Sequence, residues 1–233
     1  MILPQTLVRN RAGHGAPPFL LPVFAAVFLF IAVICPAAAQ SDSSDSTKLN
    51  ESWHLLYMQN QPLGYLHSKM VKTRNDQGDP RIYTSQNTHL KVKRFGATVD
   101  MRMSTTHRET PEGKLVGFLQ VTKLSDETTI KTGRVKEGRL TMVTRVGGRA
   151  KRQVLPWDHD IRGPWGDHQM LMEHLEAGQT YKHKTFMIDF ATVGTLTTRV
   201  NGIENVKLLN GQKRLRRVTS RVDVMPGMTM TAW

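Results

Sequence analysis

Residues 81–94 read RIYTSQNTHLKVKR. Ile82, Thr84, Thr88, Leu90 and Val92 fall on one parity; Tyr83, His89, Lys91 and Lys93 fall on the other. Apolar and β-branched residues alternating with cations over this length mark a long strand, half in a core and half in water. The same period continues on both sides. Upstream, residues 53–58 (WHLLYM) and 65–72 read as two strands joined by the turn formers of 59–64 (QNQPLG), and 75–80 (NDQGDP) turns the chain into 81–94. Downstream, Gly96 permits a bend before 97–108, where Val99, Met101 and Met103 share a face, and Pro111-Glu112-Gly113 turns the chain again.

Further strands are expected at 115–124, 128–136, 139–146 and 149–155, with turns at Ser125-Asp126, Glu137-Gly138 and Gly147-Gly148. They resume at 184–190, 194–200, 203–209 and 213–225, and 228–233 reads as the start of another. Short turns between closely spaced strands predict a mainly β fold, an antiparallel meander forming a curved sheet or half-barrel. One helix interrupts it, at about 165–177. Gly163-Pro164-Trp165-Gly166 opens it, Asp167 is the expected N-cap, and Met170, Leu171, His174 and Leu175 lie at helical spacing. Ala177-Gly178 is the expected close.

The beginning of the chain has a different composition. Arg9 and Arg11 lie in an acid-free stretch, and residues 19–34 (FLLPVFAAVFLFIAVI) are apolar. Cys35-Pro36-Ala37-Ala38-Ala39-Gln40 and a Ser/Asp tract follow. A basic start, an apolar centre and an A-x-A site form the pattern of a secretory signal peptide cleaved between Ala39 and Gln40. The alternative is a retained membrane anchor over 19–39, in which case alone the chain would touch a membrane. The 16-residue run from 19 to 34 is shorter than the ~20 residues that span a bilayer. The expected organisation is therefore a signal or anchor helix at 1–39, a flexible polar linker at 40–51 and a β-domain at 52–233. The β-domain is read as cut short at its C-terminal end, because the last strand pattern stops at Trp233. The compartment is the periplasm or the exterior.

Cys35 is the only cysteine, so cleavage leaves a chain without disulfide, thiolate nucleophile or thiolate metal ligand. The 233 residues carry 32 Lys and Arg against 19 Asp and Glu, a net charge of +13. Loss of Arg9 and Arg11 with the leader lowers this only to +11. Such a balance suits polyanions. Export argues against nucleic acid and favours an anionic lipid or an acidic envelope polymer. The densest basic stretches are 145–152 and Lys213-Arg214-Leu215-Arg216-Arg217; Lys213, Arg214, Arg216 and Arg217 are the candidate polyanion patch. The bland reading is that these cations guard a solvated sheet surface or edge from aggregation.

Catalytic chemistry is hard to find. Ser68 and His67 are neighbours on a strand and face opposite ways, and there is no G-x-S-x-G, P-loop or dinucleotide fingerprint. The weak metal candidates are His159, His168 and His174, set among Asp158, Asp160, Asp167 and Glu173. Six residues separate His168 from His174, about 600° of helix, so their rings diverge. The methionines Met225, Met228 and Met230 offer thioethers, but alternation would put Met228 and Met230 on one packing face. No cofactor and no metal are expected, and the chain reads as non-catalytic.

Three stretches carry a family resemblance. They are Trp53-x3-Tyr57-x5-Leu63-Gly64-Tyr65-x-His67, then Arg94-Phe95-Gly96 with Glu109-Thr110-Pro111-Glu112-Gly113-Lys114-Leu115, and Gly163-Pro164 with Leu175-x2-Gly178-Gln179-Thr180-Tyr181. Together they resemble the N-terminal β-domain that precedes a transglutaminase-like domain in some exported bacterial proteins. The resemblance implies a half-barrel sheet wrapping a helix and an apolar groove, with a Cys-His-Asp triad further along. This chain has no cysteine after position 35 and so carries none of those catalytic residues. Two roles follow as expectations: an accessory or binding module for an apolar or anionic envelope ligand, or the front portion of a transglutaminase-like enzyme. A metal-binding periplasmic protein is a third.

Overall fold

A computed structural model describes residues 5–10, 46–58, 61–94, 97–174, 176–208 and 211–233. The expected apolar core of the leader, Cys35, the Ala39–Gln40 cleavage site, Phe95-Gly96 and Leu175 lie outside the described residues. The strands are β1 (Gln5–Asn10), β2 (Thr47–Met58), β3 (Gln61–Arg74), β4 (Pro80–Arg94), β5 (Ala97–Glu109), β6 (Leu115–Leu124) and β7 (Glu127–Lys136). After them come β8 (Arg139–Val146), β9 (Arg149–Pro156), the helix α1 (Pro164–Glu173), β10 (Thr180–Met187), β11 (Thr192–Leu208), β12 (Gly211–Val222) and β13 (Met230–Ala232).

All the strands belong to one sheet, in the order β10-β11-β12-β13-β1-β2-β3-β4-β5-β6-β7-β8-β9. From β2 to β9 each strand pairs antiparallel with the next in sequence, so this part is a pure meander. The departure is β1, which forms a strand within the 1–39 tract expected as a signal or anchor helix and runs parallel to β2 and antiparallel to β13. The tight turns follow from local chemistry. Glu137-Gly138 and Gly147-Gly148 all have positive φ, as a two-residue hairpin loop needs to match strand twist.

The sheet stays open, with β9 and β10 at its ends. It curls so that the β10 end lies over β6 and β8. Phe118, Leu140 and Met142 meet Phe186 and Ile188 there, with Leu115, Trp157 and Ile161 completing the core. The Phe118 and Phe186 rings stack at 5.7 Å, and Trp157 meets Phe186 edge-on at 5.4 Å. Lys131 Nζ donates to Asp189 Oδ1 at 3.0 Å, closing the same seam from the water side. Gly133 makes room for this core: a Cβ there would stand 2.1 Å from a Phe118 ring carbon. Gly133→Ala is expected to cost roughly 1–3 kcal/mol through overpacking, read as a lower urea midpoint at unchanged slope.

The alternation expected from residue 81 onward is seen at Ile82 and Thr84, which are buried, and at Asn87 and Lys91, which are exposed, while Thr88, Leu90 and Val92 are partly buried. Several other expectations need correction. Strand β2 begins at Thr47, inside the tract read as a linker over 40–51. Its polar residues there find partners on β3, with Thr47 opposite Lys72 and Lys48 opposite Val71. The helix is Pro164–Glu173 rather than 165–177, and Gly163, not Asp167, is the N-cap. His174 leaves helical geometry and its Nδ1 donates to Met170 O at 2.7 Å. Gly178 belongs to the turn into β10, its N–H bonded to Val200 O. Residues 194–200 and 203–209 are not two strands, since β11 runs through both with an irregularity between Val200 and Ile203. Met225 and Met228 sit in a turn, Met228 N–H donating to Met225 O at 3.2 Å, so Met228 and Met230 do not share a strand face.

Candidate functional site

Paired residues of adjacent strands project from the same side of a sheet, so the register fixes which side chains share a face. One face of β3–β8 is the core face, with Ser68, Met70, Ile82, Thr84, Thr105, Glu109, Phe118, Gln120, Leu140 and Met142 all buried. The opposite face looks into water. One row across it runs Leu55, Tyr65, His89, Arg102, Lys123 and Thr128. The next runs Trp53, His67, Asn87, Ser104, Val121, Ile130, Arg145 and Ala150. A third carries Glu51, Lys69 and, at its far end, Arg152; a fourth carries Arg108 and Arg134. Lys91 pairs with Asp100 at the near margin. On this face these eight cations, with Lys48, Arg81, Lys136 and Arg139 on the same side, stand against two acids, Glu51 and Asp100.

Both acids are engaged. The Asp100 carboxylate accepts from His89 Nε2 at 3.0 and 3.1 Å, and Arg102 Nε lies 3.4 Å from it. The His89 hydrogen bond holds the Asp100 carboxyl below its ordinary range, helped by the charges of His89, Arg102 and Lys91. Glu51 bridges Lys48 Nζ at 3.0 Å and His67 Nε2 at 2.9 Å, and these bonds, Lys48 first, hold its carboxyl low as well. Lys69, Lys123, Arg134, Arg145 and Arg152 have no ion pair among the described residues.

An aromatic cluster borders the cations. Trp53 stacks on His67 at 4.2 Å and 15°, Trp53 meets Tyr65 at 5.5 Å, and Tyr65 meets His89 edge-on at 5.7 Å. Trp53 and Tyr65 remain 38% and 39% exposed, so their rings are available to a ligand. Beside them the sheet surface is hollowed by about 420 Å³, lined by Tyr65, Asn87, His89, Arg102, Ser104 and Lys123 among others.

The expected basic patch does not form as a unit. On β12, Arg214 faces with Arg216, while Lys213 shares the other side with Arg217, because neighbours on a strand alternate. Arg217 is also paired with Glu204 at 3.4 Å. The three histidines do not converge either. His159 is exposed in the loop before α1; His168 lies against Trp165 at 5.7 Å; His174 is turned onto Met170 O and the Tyr181 ring. Asp158 is used by Lys184 Nζ and the Asp160 N–H. Among the described residues no group of three or more His, Cys, Asp or Glu is placed to hold a metal ion. Ser68 is buried on the core face and His67 points to water, as alternation requires.

Asp167 lies in the first turn of α1 and faces β10. It accepts from Tyr181 OH at 3.2 Å, and His183 Nε2 is 3.8 Å away, too far for a hydrogen bond. Loss of hydration pushes the Asp167 carboxyl up and the His183 ring down, each against the pull of the other's charge. The pair stitches helix to sheet and brings no nucleophile with it.

The N-terminus of α1 is capped from a distant strand. Glu109, fully buried on β5, accepts the Trp165 N–H at 2.9 Å, the Gly166 N–H at 3.1 Å and the Thr84 hydroxyl at 3.1 Å. Its carboxylate supplies the acceptor that Gly163 lacks. Gly113, at φ +79°, lets Gly166 approach: a Cβ on Gly113 would stand 2.2 Å from the Gly166 Cα. The Glu109-x3-Gly113 and Gly163-Pro164 stretches singled out in the sequence are thus the two halves of one joint.

No family model matches the chain, and no curated protein matches it. Among solved structures it is similar to the crystal structure of a beta-barrel-like protein of a domain of unknown function, DUF1849, from Brucella abortus. The TM-score is 0.47 and the identity 14%, over 81% of this chain and 92% of that one.

Proposed function

We propose that the chain is an exported, non-catalytic binding module whose water-facing sheet surface takes an acidic envelope polymer. The supporting observation is the excess of cations over the two acids Glu51 and Asp100 across β2–β9, with both acids already bound by neighbouring cations or histidines. A linear polyanion laid across the strands meets Arg102 and Lys123 on successive strands, about 4.8 Å apart, with the other cations spread over the neighbouring rows. Summed over a surface, such an excess steers anionic ligands and gives salt-dependent binding. The leader pattern supports export, which removes nucleic acid from reach and leaves anionic lipid or acidic envelope polymers as partners; the spread of cations over several strands favours the polymer.

Binding of the chain to polygalacturonate and polyphosphate at rising ionic strength tests this. Affinity should fall steeply with salt. Reversing two cations, Arg102→Glu with Lys123→Glu, should weaken binding by about 2 kcal/mol, roughly 30-fold, if each exposed charge contact is worth ~0.5 kcal/mol. Arg214→Glu with Arg216→Glu should change it little. Equal losses from both pairs, or no binding to either polymer, would remove the proposed face. N-terminal sequencing of the chain recovered from outside the cytoplasm should give Gln40 as the first residue, which takes β1 and its pairings with β13 and β2 away and leaves the β2–β9 face intact; an intact leader would instead favour the anchor.

A further inference from the structure

We propose that the hollow beside Tyr65 is a subsite for a single acidic sugar unit, a hexose bearing a carboxylate or a phosphate. This rests on the polyanion reading of the face and goes further by naming the unit that is recognised.

The hollow combines three kinds of group that a bare electrostatic surface does not need. Its volume of about 420 Å³ lies within the ~300–1,000 Å³ usual for small-molecule sites. Tyr65 offers a half-exposed ring, held edge-on by His89 and flanked by Trp53, a flat platform for the apolar face of a pyranose. Arg102 and Lys123 are direct cross-strand neighbours in the same row as Tyr65, so two cations stand together at one end of that platform. Asn87 and Ser104 are paired across β4 and β5 in the adjacent row and are both exposed. They present an amide and a hydroxyl, groups that donate to and accept from sugar hydroxyls.

Orientation is provided locally. Asp100 binds His89 at 3.0 Å and lies 3.4 Å from Arg102 Nε. It tethers the ring that supports Tyr65 and the start of the guanidinium, while the Arg102 side chain stays 67% exposed. Its terminal N–H groups can therefore grip a carboxylate or phosphate in the two-pronged geometry that Lys lacks. Asp100 is a positioning residue; Tyr65, Arg102, Lys123, Asn87 and Ser104 are the contacts.

Galacturonate, galactose 6-phosphate, galactose, acetate and inorganic phosphate are titrated into the purified protein, following Tyr65 and Trp53 fluorescence or amide NMR shifts. The acidic sugars should bind at least tenfold more tightly than either galactose or the bare anions. Polygalacturonate should exceed polyphosphate of equal charge. Tyr65→Ala and Asn87→Ala, both at exposed positions and checked for an unchanged melting temperature, should abolish that preference while leaving polyphosphate binding intact. Galacturonate and galactose 6-phosphate separate the carboxylate and phosphate sources, and binding of either one supports the subsite.

Inorganic phosphate binding as well as galactose 6-phosphate, or Tyr65→Ala leaving the preference untouched, would overturn the subsite while salt-dependent polymer binding keeps the face. Galacturonate binding through Tyr65 with no affinity for either polymer would overturn the face and keep the subsite. No response to any sugar or polymer overturns both.

Discussion

Glu109→Ala is expected to lose roughly 3–5 kcal/mol of stability at pH 5. The substitution leaves two backbone N–H groups at the head of α1 and the Thr84 hydroxyl without their acceptor, at about 1–3 kcal/mol for each buried group left unpaired. The effect should depend on pH in a definite direction. Burial pushes the Glu109 carboxyl up to about 7, against the pull of the Gly166 and Trp165 N–H groups and Thr84. An unfolded glutamate titrates near 4.5. Between those values the folded chain binds the extra proton, so this group's contribution is fullest below pH 4.5 and declines as pH rises through 7. The stability gap between wild type and Glu109→Ala should therefore shrink from pH 5 to pH 8, by on the order of 3 kcal/mol. Glu109→Gln keeps an acceptor for the helix and cannot ionise. It should lose less at pH 5 and remove this component of the pH profile. Urea unfolding of the three chains at both pH values decides it; a gap that widens with pH would show that the carboxylate, not the acid, is the favoured cap.

Phe118→Ala is expected to cost about 3–5 kcal/mol, the range for emptying a buried aromatic site. Its ring is fully buried and stacks on Phe186, where the β10 end of the sheet meets β6. The neighbouring Gly133 has no side chain to fill the void, so the cavity cannot collapse from that side. Urea unfolding should show the loss of stability, and limited proteolysis should show earlier cutting at the exposed turn residues Asp189 and Phe190. A loss below ~1 kcal/mol would mean that β10 is held chiefly by Lys131 and α1.

Much of the fold is legible because it is local. Alternation in residues 81–94 depends on no distant partner, and turn pairs such as Glu137-Gly138 declare themselves through the positive φ they need. Errors arise where a distant group decides. Asp167 is a reasonable N-cap by sequence, but the acceptor at the helix head arrives from Glu109, 56 residues upstream of Trp165. Thr47 and Lys48 look like linker until β3 provides a partner strand.

The site was less legible for the same reason. Tyr65 and His67 stood out in the first hairpin, whereas Arg102 and Lys123 are single cations in unremarkable strands. They become neighbours only through register. The Ser125-Asp126 turn places Lys123 opposite Thr128, but the shift between Arg108 and Glu109 breaks simple counting from the Pro111–Gly113 turn into β5. Conversely, Lys213–Arg217 is dense in sequence and divided in space, since consecutive strand residues point apart.

The sequential order of β2 to β9 also sets how the chain closes on itself. Each neighbouring pair is joined by a short connection, so its ordering entropy is spent in small instalments. The Lys131–Asp189 contact spans 58 residues and lies at the seam that brings β10 over the meander. Loop-closure entropy grows only logarithmically, so passing from a ten-residue loop to one of that size adds about 1.5 kcal/mol. The curl of the sheet is thus thermodynamically inexpensive once the hairpins stand, and a few aromatic rings suffice to hold it.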